Sequence, residues 1–212
     1  MDNIENFTGA EEITNAILHG IGAGLAIAAL SVLIIFACFY GDAWHIVSFA
    51  VYGATLVILY LSSTLFHSFP KGKVKDIFEI IDHCSIYLLI AGTYTPLALI
   101  SLRGPIGWTV FAIVWGVSIA GIVFKIFWVK KFVILSTLLY IFMGWMVIFV
   151  LKPLIQSMPF ISTAFLAVGG GLYTVGTIFY IWRKMKFHHA IWHIFVLGGS
   201  ICHFFTILFL IL

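Results

Sequence analysis

Hydrophobic positions in this chain run on unbroken for the thickness of a bilayer. A membrane-spanning helix needs about 20 consecutive apolar residues. Runs of that order recur seven times, near 13–39, 44–68, 78–101, 105–127, 132–151, 159–182 and 188–211. Turn-forming residues punctuate them: Gly41-Asp42, Pro70-Lys71-Gly72-Lys73, Arg103-Gly104-Pro105, Lys152-Pro153 and Pro159. The weakest boundary lies between spans four and five, where Lys125, Lys130 and Lys131 interrupt a nearly continuous apolar stretch. The pattern predicts an all-α polytopic membrane protein. A short N-terminal segment, 1–12, precedes a seven-helix transmembrane domain, 13–212, and the loops leave no room for a soluble domain.

Composition agrees. The chain is 63% hydrophobic and 9% charged, with a mean hydropathy of +1.16, which excludes a soluble globular class. The start, Met1-Asp2-Asn3-Ile4-Glu5, has no positive n-region, so the first span is expected to serve as an uncleaved anchor. Nine basic residues sit on one side, in the even loops: Lys71, Lys73 and Lys75; Lys125, Lys130 and Lys131; Arg183, Lys184 and Lys186. Only Arg103 and Lys152 sit on the other. The positive-inside rule puts the even loops and the N-terminus in the cytoplasm and the C-terminus outside. The formal charge of +3 is thus accounted for by topology and implies no nucleic-acid partner. Membrane lipids are the partners expected, with anionic headgroups near the basic loops.

Small residues and cysteines read as packing. Gly20, Gly24, Gly169, Gly170, Gly171, Gly176, Gly198 and Gly199 suit close helix–helix approach. Cys38, Cys84 and Cys202 lack CxxC spacing and read as small apolar core residues. Pro96 should kink the third span, with nearby hydroxyls satisfying the freed carbonyl.

The polar residues inside the spans are clustered. Glu12, Asn15 and His19 share a face at the start of span one. Ser63 and His67 end span two, Glu79, Asp82 and His83 open span three, and His189 and His193 open span seven. Because alternate spans run in opposite directions, all four groups fall at one depth, near the cytoplasmic face. Residues four apart share a helix face, so His189 and His193 form half of a metal site. His67 is the third imidazole expected to ligate. Three neutral imidazoles with a carboxylate suit zinc. Asp82 either completes the site or holds a metal-bound water, and Ser63 can donate to a polarised carbonyl. Glu12, Asn15, His19 and His83 are candidates for orienting the ligands. A plainer alternative stands beside this: histidines at a membrane boundary also occupy the interfacial layer, bonded to water or headgroups. Glu12, Asn15 and His19 also suit an N-terminal capping cluster. His45 and His188 fit interfacial positions, and His203, about 20 Å deeper than His189, fits a satisfied core histidine.

At these residues the chain resembles the hemolysin III family, the bacterial branch of the progestin and adipoQ receptors. The carriers are Glu12-Ile13-Thr14-Asn15-Ala16-Ile17-Leu18-His19, Ser63-Thr64-Leu65-Phe66-His67, Asp82-His83-Cys84-Ser85-Ile86-Tyr87 with Gly92-Thr93-Tyr94-Thr95-Pro96, and His189-Ala190-Ile191-Trp192-His193 with His203-Phe204. The resemblance covers essentially the whole chain. It implies a seven-helix bundle with a cytoplasmic N-terminus and a zinc ion held by His67, His189 and His193. It also implies Asp82 beside a zinc-bound water, with Ser63 as the accompanying serine. Relatives include adiponectin receptors, and the superfamily takes in proposed membrane hydrolases such as alkaline ceramidases.

Three functions then compete. The first is a zinc-dependent hydrolase of a lipid amide or ester, or a membrane-homeostasis protein as the resemblance implies. The second is a pore-forming cytolysin, suggested by the family's name, although the spans lack a periodic polar stripe suited to an aqueous channel. The third is a receptor or sensor of membrane state with structural zinc.

Overall fold

The computed structural model describes residues 7–182 and 184–212. Met1 to Asn6 of the N-terminal segment and Arg183 of the sixth loop lie outside the described residues. Eight α-helices follow in order: α1 Gly9–Tyr40, α2 Ala43–Ser68, α3 Lys73–Pro96, α4 Pro105–Trp128, α5 Val133–Trp145, α6 Leu151–Ser157, α7 Phe160–Ile181 and α8 His188–Leu208. Together they make seven membrane spans, the fifth built from α5 and α6. The chain is therefore a multi-pass membrane protein.

Local chemistry sets the helix ends. α1 begins at Gly9, four residues ahead of the apolar run, because Thr8 and Glu11 form a capping box. The Thr8 N–H donates to Glu11 Oε2 at 2.9 Å, and the Glu11 N–H donates to Thr8 Oγ1 at 3.3 Å. α2 starts on Asp42, whose carboxylate accepts from the Trp44 and His45 N–H groups. α3 starts at Lys73 rather than near 78, since Asp76 and Glu79 lie within its first turns and dilute the hydropathy there. α4 carries Pro105 at its first position, following Gly104 at φ 102°. Phe132 and Phe187, ahead of α5 and α8, hold left-handed backbone at φ 53° and 57°.

Two spans are irregular. Pro96 does end regular α-helix in span three, and a π-helical stretch, Leu97–Ser101, carries the chain onward. Thr93 and Thr95 donate to the Leu89 and Ala91 carbonyls, one turn behind. In span five a 3-10 stretch, Met146–Val150, separates α5 from α6, so the span extends to Ser157 instead of ending near 151.

The third span is the central one: 72% of its most apolar window is buried, against 17% for the fifth. α2 packs between α1 and α3, α4 lies on α3, and α8 lies between α7 and α1. The main core joins Leu33 and Ala37 of α1, Phe49, Tyr52 and Tyr60 of α2, and Val196 and Ile207 of α8. A second core joins Tyr87, Ala91 and Tyr94 of α3 to Val114, Tyr140 and Met143. Close approach depends on small residues at some of the expected sites. A Cβ at Gly169 would strike the His203 ring, one at Gly176 would meet Trp192, and one at Gly199 would meet Tyr173. Gly24, Gly170 and Gly171 have open space instead.

Two readings from sequence need correction. Lys125 belongs to no loop. It lies in the last turn of α4, fully buried, on the face with Val114, Ser118 and Gly121 that packs against α3. Its ammonium donates to the Val129 carbonyl at 3.5 Å. Burial of the long side chain inside the bundle is what a charge count along the sequence misses. Cys38 faces outward and is exposed, whereas Cys84 is buried and Cys202 partly so. Position on the helix, not the residue's small apolar character, decides this. The remaining fourth-loop charge is tied down: Lys130 pairs with Asp76 at 2.8 Å and Glu79 at 3.3 Å. The hydrogen bond that Lys130 donates to Asp76 raises its ammonium above the ordinary lysine range.

Candidate metal centre

Three pairs of polar side chains, each one turn apart on its own helix, come to one end of the bundle. Asn15 and His19 lie on α1, Ser63 and His67 on α2, and His189 and His193 on α8, and all six are buried. Each of His67, His189 and His193 offers a ring nitrogen, and the three nitrogens lie within 4.8 Å of one another. The ring centroids form a triangle of 5.1, 5.1 and 4.5 Å. His67 lies far from His189 and His193 in sequence; packing of α2 antiparallel and α8 parallel to α1 brings the three rings together.

Hydrogen bonds aim the nitrogens inward. His67 Nδ1 lies 2.6 Å from Glu12 Oε2. An ionised carboxylate accepts a hydrogen bond from Nδ1–H, which keeps the proton on Nδ1 and leaves the Nε2 lone pair free to ligate. His67 Nε2 is buried with no hydrogen-bond partner among the described residues. The His193 ring bonds the Asn15 backbone carbonyl, and His193 Nδ1 is likewise buried without a hydrogen-bond partner among the described residues. Each such buried nitrogen costs about 1–3 kcal/mol if nothing meets it. A tetrahedral ion with bonds of about 2.0–2.1 Å sets its ligand nitrogens about 3.3 Å apart, so a modest closure of this triangle accommodates one. The donor set therefore fits a divalent metal ion that accepts imidazole.

Neighbouring groups brace the triangle. Lys75 of α3 pairs with Glu12 Oε1 at 2.9 Å and donates to the Phe66 carbonyl at 2.7 Å. Glu12 thus links three helices. The Phe7 ring covers the cluster, with centroid distances of 4.9 Å to His189 and 5.7 Å to His67. Glu11 Oε1 accepts the Phe187 N–H at 2.9 Å, which fastens the start of α1 to the turn before α8.

The other expected residues occupy the same end. The Ser63 hydroxyl is buried without a hydrogen-bond partner among the described residues. Asp82 is half-buried, its Oδ2 4.0 Å from His83 Nδ1. The Ser62–Ser85 hydrogen bond, 3.3 Å, sets the register of α2 on α3. One turn nearer the end, that register places Asp82 level with Phe66 and His67. His83 Nδ1 bonds the Glu79 carbonyl at 2.7 Å, and His83 Nε2 lies 3.3 Å from the Tyr180 hydroxyl. The Tyr180 ring in turn sits 6.0 Å from that of His189. His188 Nδ1 bonds the Phe179 carbonyl at 3.1 Å. His45 is at the opposite end, in the cap of α2. His203 is only half satisfied: its ring bonds the Leu166 carbonyl, while Nε2 has no hydrogen-bond partner among the described residues.

An apolar cavity of about 280 Å³ lies between α3, α5, α7 and α8. Tyr140, Tyr180 and Trp192 form its wall, and Tyr180 also touches the histidine cluster. Phe7 and Lys75 are the parts of the site that sequence reasoning passed over. Phe7 precedes the first apolar run and carries no periodic signal. Lys75 reads as one more loop charge until α3 is seen to begin at Lys73.

Comparison with known proteins shows the family. The sequence profile described as "Haemolysin-III related" matches residues 7–204. A Bacillus subtilis protein named "Hemolysin-3 homolog" is 59% identical over 203 residues, covering 96% of this chain and 95% of that one. The Bacillus cereus "Hemolysin-3" is 55% identical, covering 95% and 92%. More distantly, the human "Monocyte to macrophage differentiation factor" is 27% identical over 172 residues, covering 78% and 71%. The chain belongs to the haemolysin-III related family of membrane proteins.

Proposed function

We propose that this protein is a zinc-dependent membrane hydrolase that cleaves an amide or ester bond of a lipid, with its site at the cytoplasmic face. The observation that carries the reading is the convergence of His67, His189 and His193 within 4.8 Å beside an apolar cavity of about 280 Å³. The orientation rests on the basic residues of the even loops, which share the site's end of the bundle.

Zinc held by the three imidazoles supplies Lewis acidity for a carbonyl and lowers the pKa of a water toward neutrality. The residues of the chain do the rest. Glu12 holds the His67 proton at Nδ1 and so keeps Nε2 a lone-pair donor. Asp82, at the depth of His67, accepts a proton from the attacking water. The Ser63 hydroxyl, whose hydrogen is otherwise unused among the described residues, donates to the carbonyl oxygen. The cavity receives the apolar chain, and its hydrocarbon walls keep bulk water away from it.

The test is metal analysis and lipid turnover on purified protein. Near-stoichiometric zinc in the wild type, lost in His67→Ala and His189→Ala, is expected, together with loss of turnover in Asp82→Asn. Full turnover of a confirmed substrate by both Asp82→Asn and His193→Ala would sink the reading. Two relatives carry haemolysin in their names, so dye release from liposomes belongs beside it. Leakage that persists in a triple-histidine variant points to a pore instead.

A further inference from the structure

His19 is a fourth buried imidazole at the metal centre, and it stands outside the ligand triangle. Its ring lies 3.5 Å from that of His193, centroid to centroid, at an interplanar angle of 17°. It is 3% exposed, and neither ring nitrogen has a hydrogen-bond partner among the described residues. On its other side the Tyr60 ring meets it edge-on at 5.0 Å. Tyr60 cannot retreat. Its hydroxyl donates to Ser200 Oγ at 2.8 Å, and a Cβ at Gly22 would strike its ring, so it is wedged against α1.

These contacts act on His193 in two independent directions. The Asn15 carbonyl fixes the ring within its own plane, and the His19 face fixes the tilt of that plane. Both come from α1, one turn apart. The stack also has a consequence for His19 itself. Lone pairs of an imidazole lie in the ring plane, so two nearly parallel rings 3.5 Å apart aim theirs side by side rather than at a common point. While stacked, His19 cannot point a nitrogen at an ion that His193 ligates.

We propose that His19 is a positioning residue: it clamps the His193 ring by stacking and, by staying stacked, keeps the centre at three protein ligands with a fourth position open. This rests on the metal-centre reading above. An open position distinguishes a catalytic zinc site from a structural one closed by four protein ligands, and support of a ligating histidine is worth about 10–100-fold in metal affinity.

The experiment loads purified full-length protein with Co²⁺ as a spectroscopic stand-in and compares the wild type with His19→Phe, His19→Ala and His193→Ala. Circular dichroism and gel filtration in detergent check the fold. The expected result is a wild-type visible spectrum and wild-type affinity in His19→Phe, which preserves a flat ring. His19→Ala should lose about 10–100-fold in affinity with altered bands. His19→Phe and His19→Ala impaired as severely as His193→Ala would make His19 a ligand and overturn the proposal. Both indistinguishable from wild type would overturn it as well. A wild type that binds no Co²⁺ would overturn the metal centre first, which separates the two failures.

Discussion

The Glu12 carboxylate grips the His67 ring at Nδ1, at 2.6 Å, from a different helix. The same carboxylate is held by Lys75 at 2.9 Å. A carboxylate placed behind a histidine raises its basicity and fixes its tautomer. Glu12→Gln should therefore weaken zinc binding by about 10–100-fold without changing helix content. Competition against a chromophoric chelator measures this. Unchanged affinity would show that the hydrogen bond does not orient the ligand.

Phe7 is placed to govern access rather than affinity. Its ring closes over His67 and His189 from the end of the bundle. Phe7→Ala should speed the loss of bound metal to excess chelator while changing the equilibrium affinity much less. Stopped-flow release from the zinc-loaded protein tests it, and an unaltered release rate would rule out a covering role.

At the opposite end, Asp42 caps α2. The hydrogen bond from the His45 side chain is the main cause that holds its carboxyl down to about 2. A folded value below the unfolded one adds stability above the unfolded pKa and loses it as pH falls toward the folded value. Asp42→Asn should accordingly melt lower than the wild type at pH 5, and the gap should close between about pH 4 and pH 2. A gap independent of pH would mean that the cap works through geometry alone.

Gly169 lies where α7 crosses His203. Adding a methyl there overpacks a tight helix contact. Gly169→Ala should cost about 1–3 kcal/mol, and Gly170→Ala, which meets open space, should cost far less. Thermal unfolding in detergent compares the two.

The seven spans were legible because unbroken apolar length is a strong signal and no soluble alternative competes with it. Their ends were less so. Thr8-Gly9-Ala10-Glu11 carries the spacing of a capping box, yet a hydropathy run begins only at Ile13. The break in span five was invisible: Met146–Val150 contains neither proline nor glycine, and the backbone there bonds a side chain of another span, the Tyr94 hydroxyl, which accepts the Val147 N–H at 2.7 Å and donates to the Gly144 carbonyl at 2.9 Å. At the candidate site, the i, i+4 spacing of His189 with His193 and the level of His67 could be read from span direction alone. The stacking of His19 and the covering by Phe7 could not, since both depend on rotamers and on the lateral order of helices. Lys125 misled for the opposite reason. Its charge carried a clear message about topology while its side chain was folded into the bundle.

The three imidazoles come from the second span and the last. Synthesis delivers spans in order, N-terminal ones first. His67 must wait in the membrane, its Glu12 and Lys75 partners already in place, until α8 has been inserted and has docked against α1. If the site takes up a metal, its capture is then the closing event of biogenesis. A chain truncated before His188 should insert and yet remain metal-free, and the metal content of a preparation reports how much of it has finished assembling.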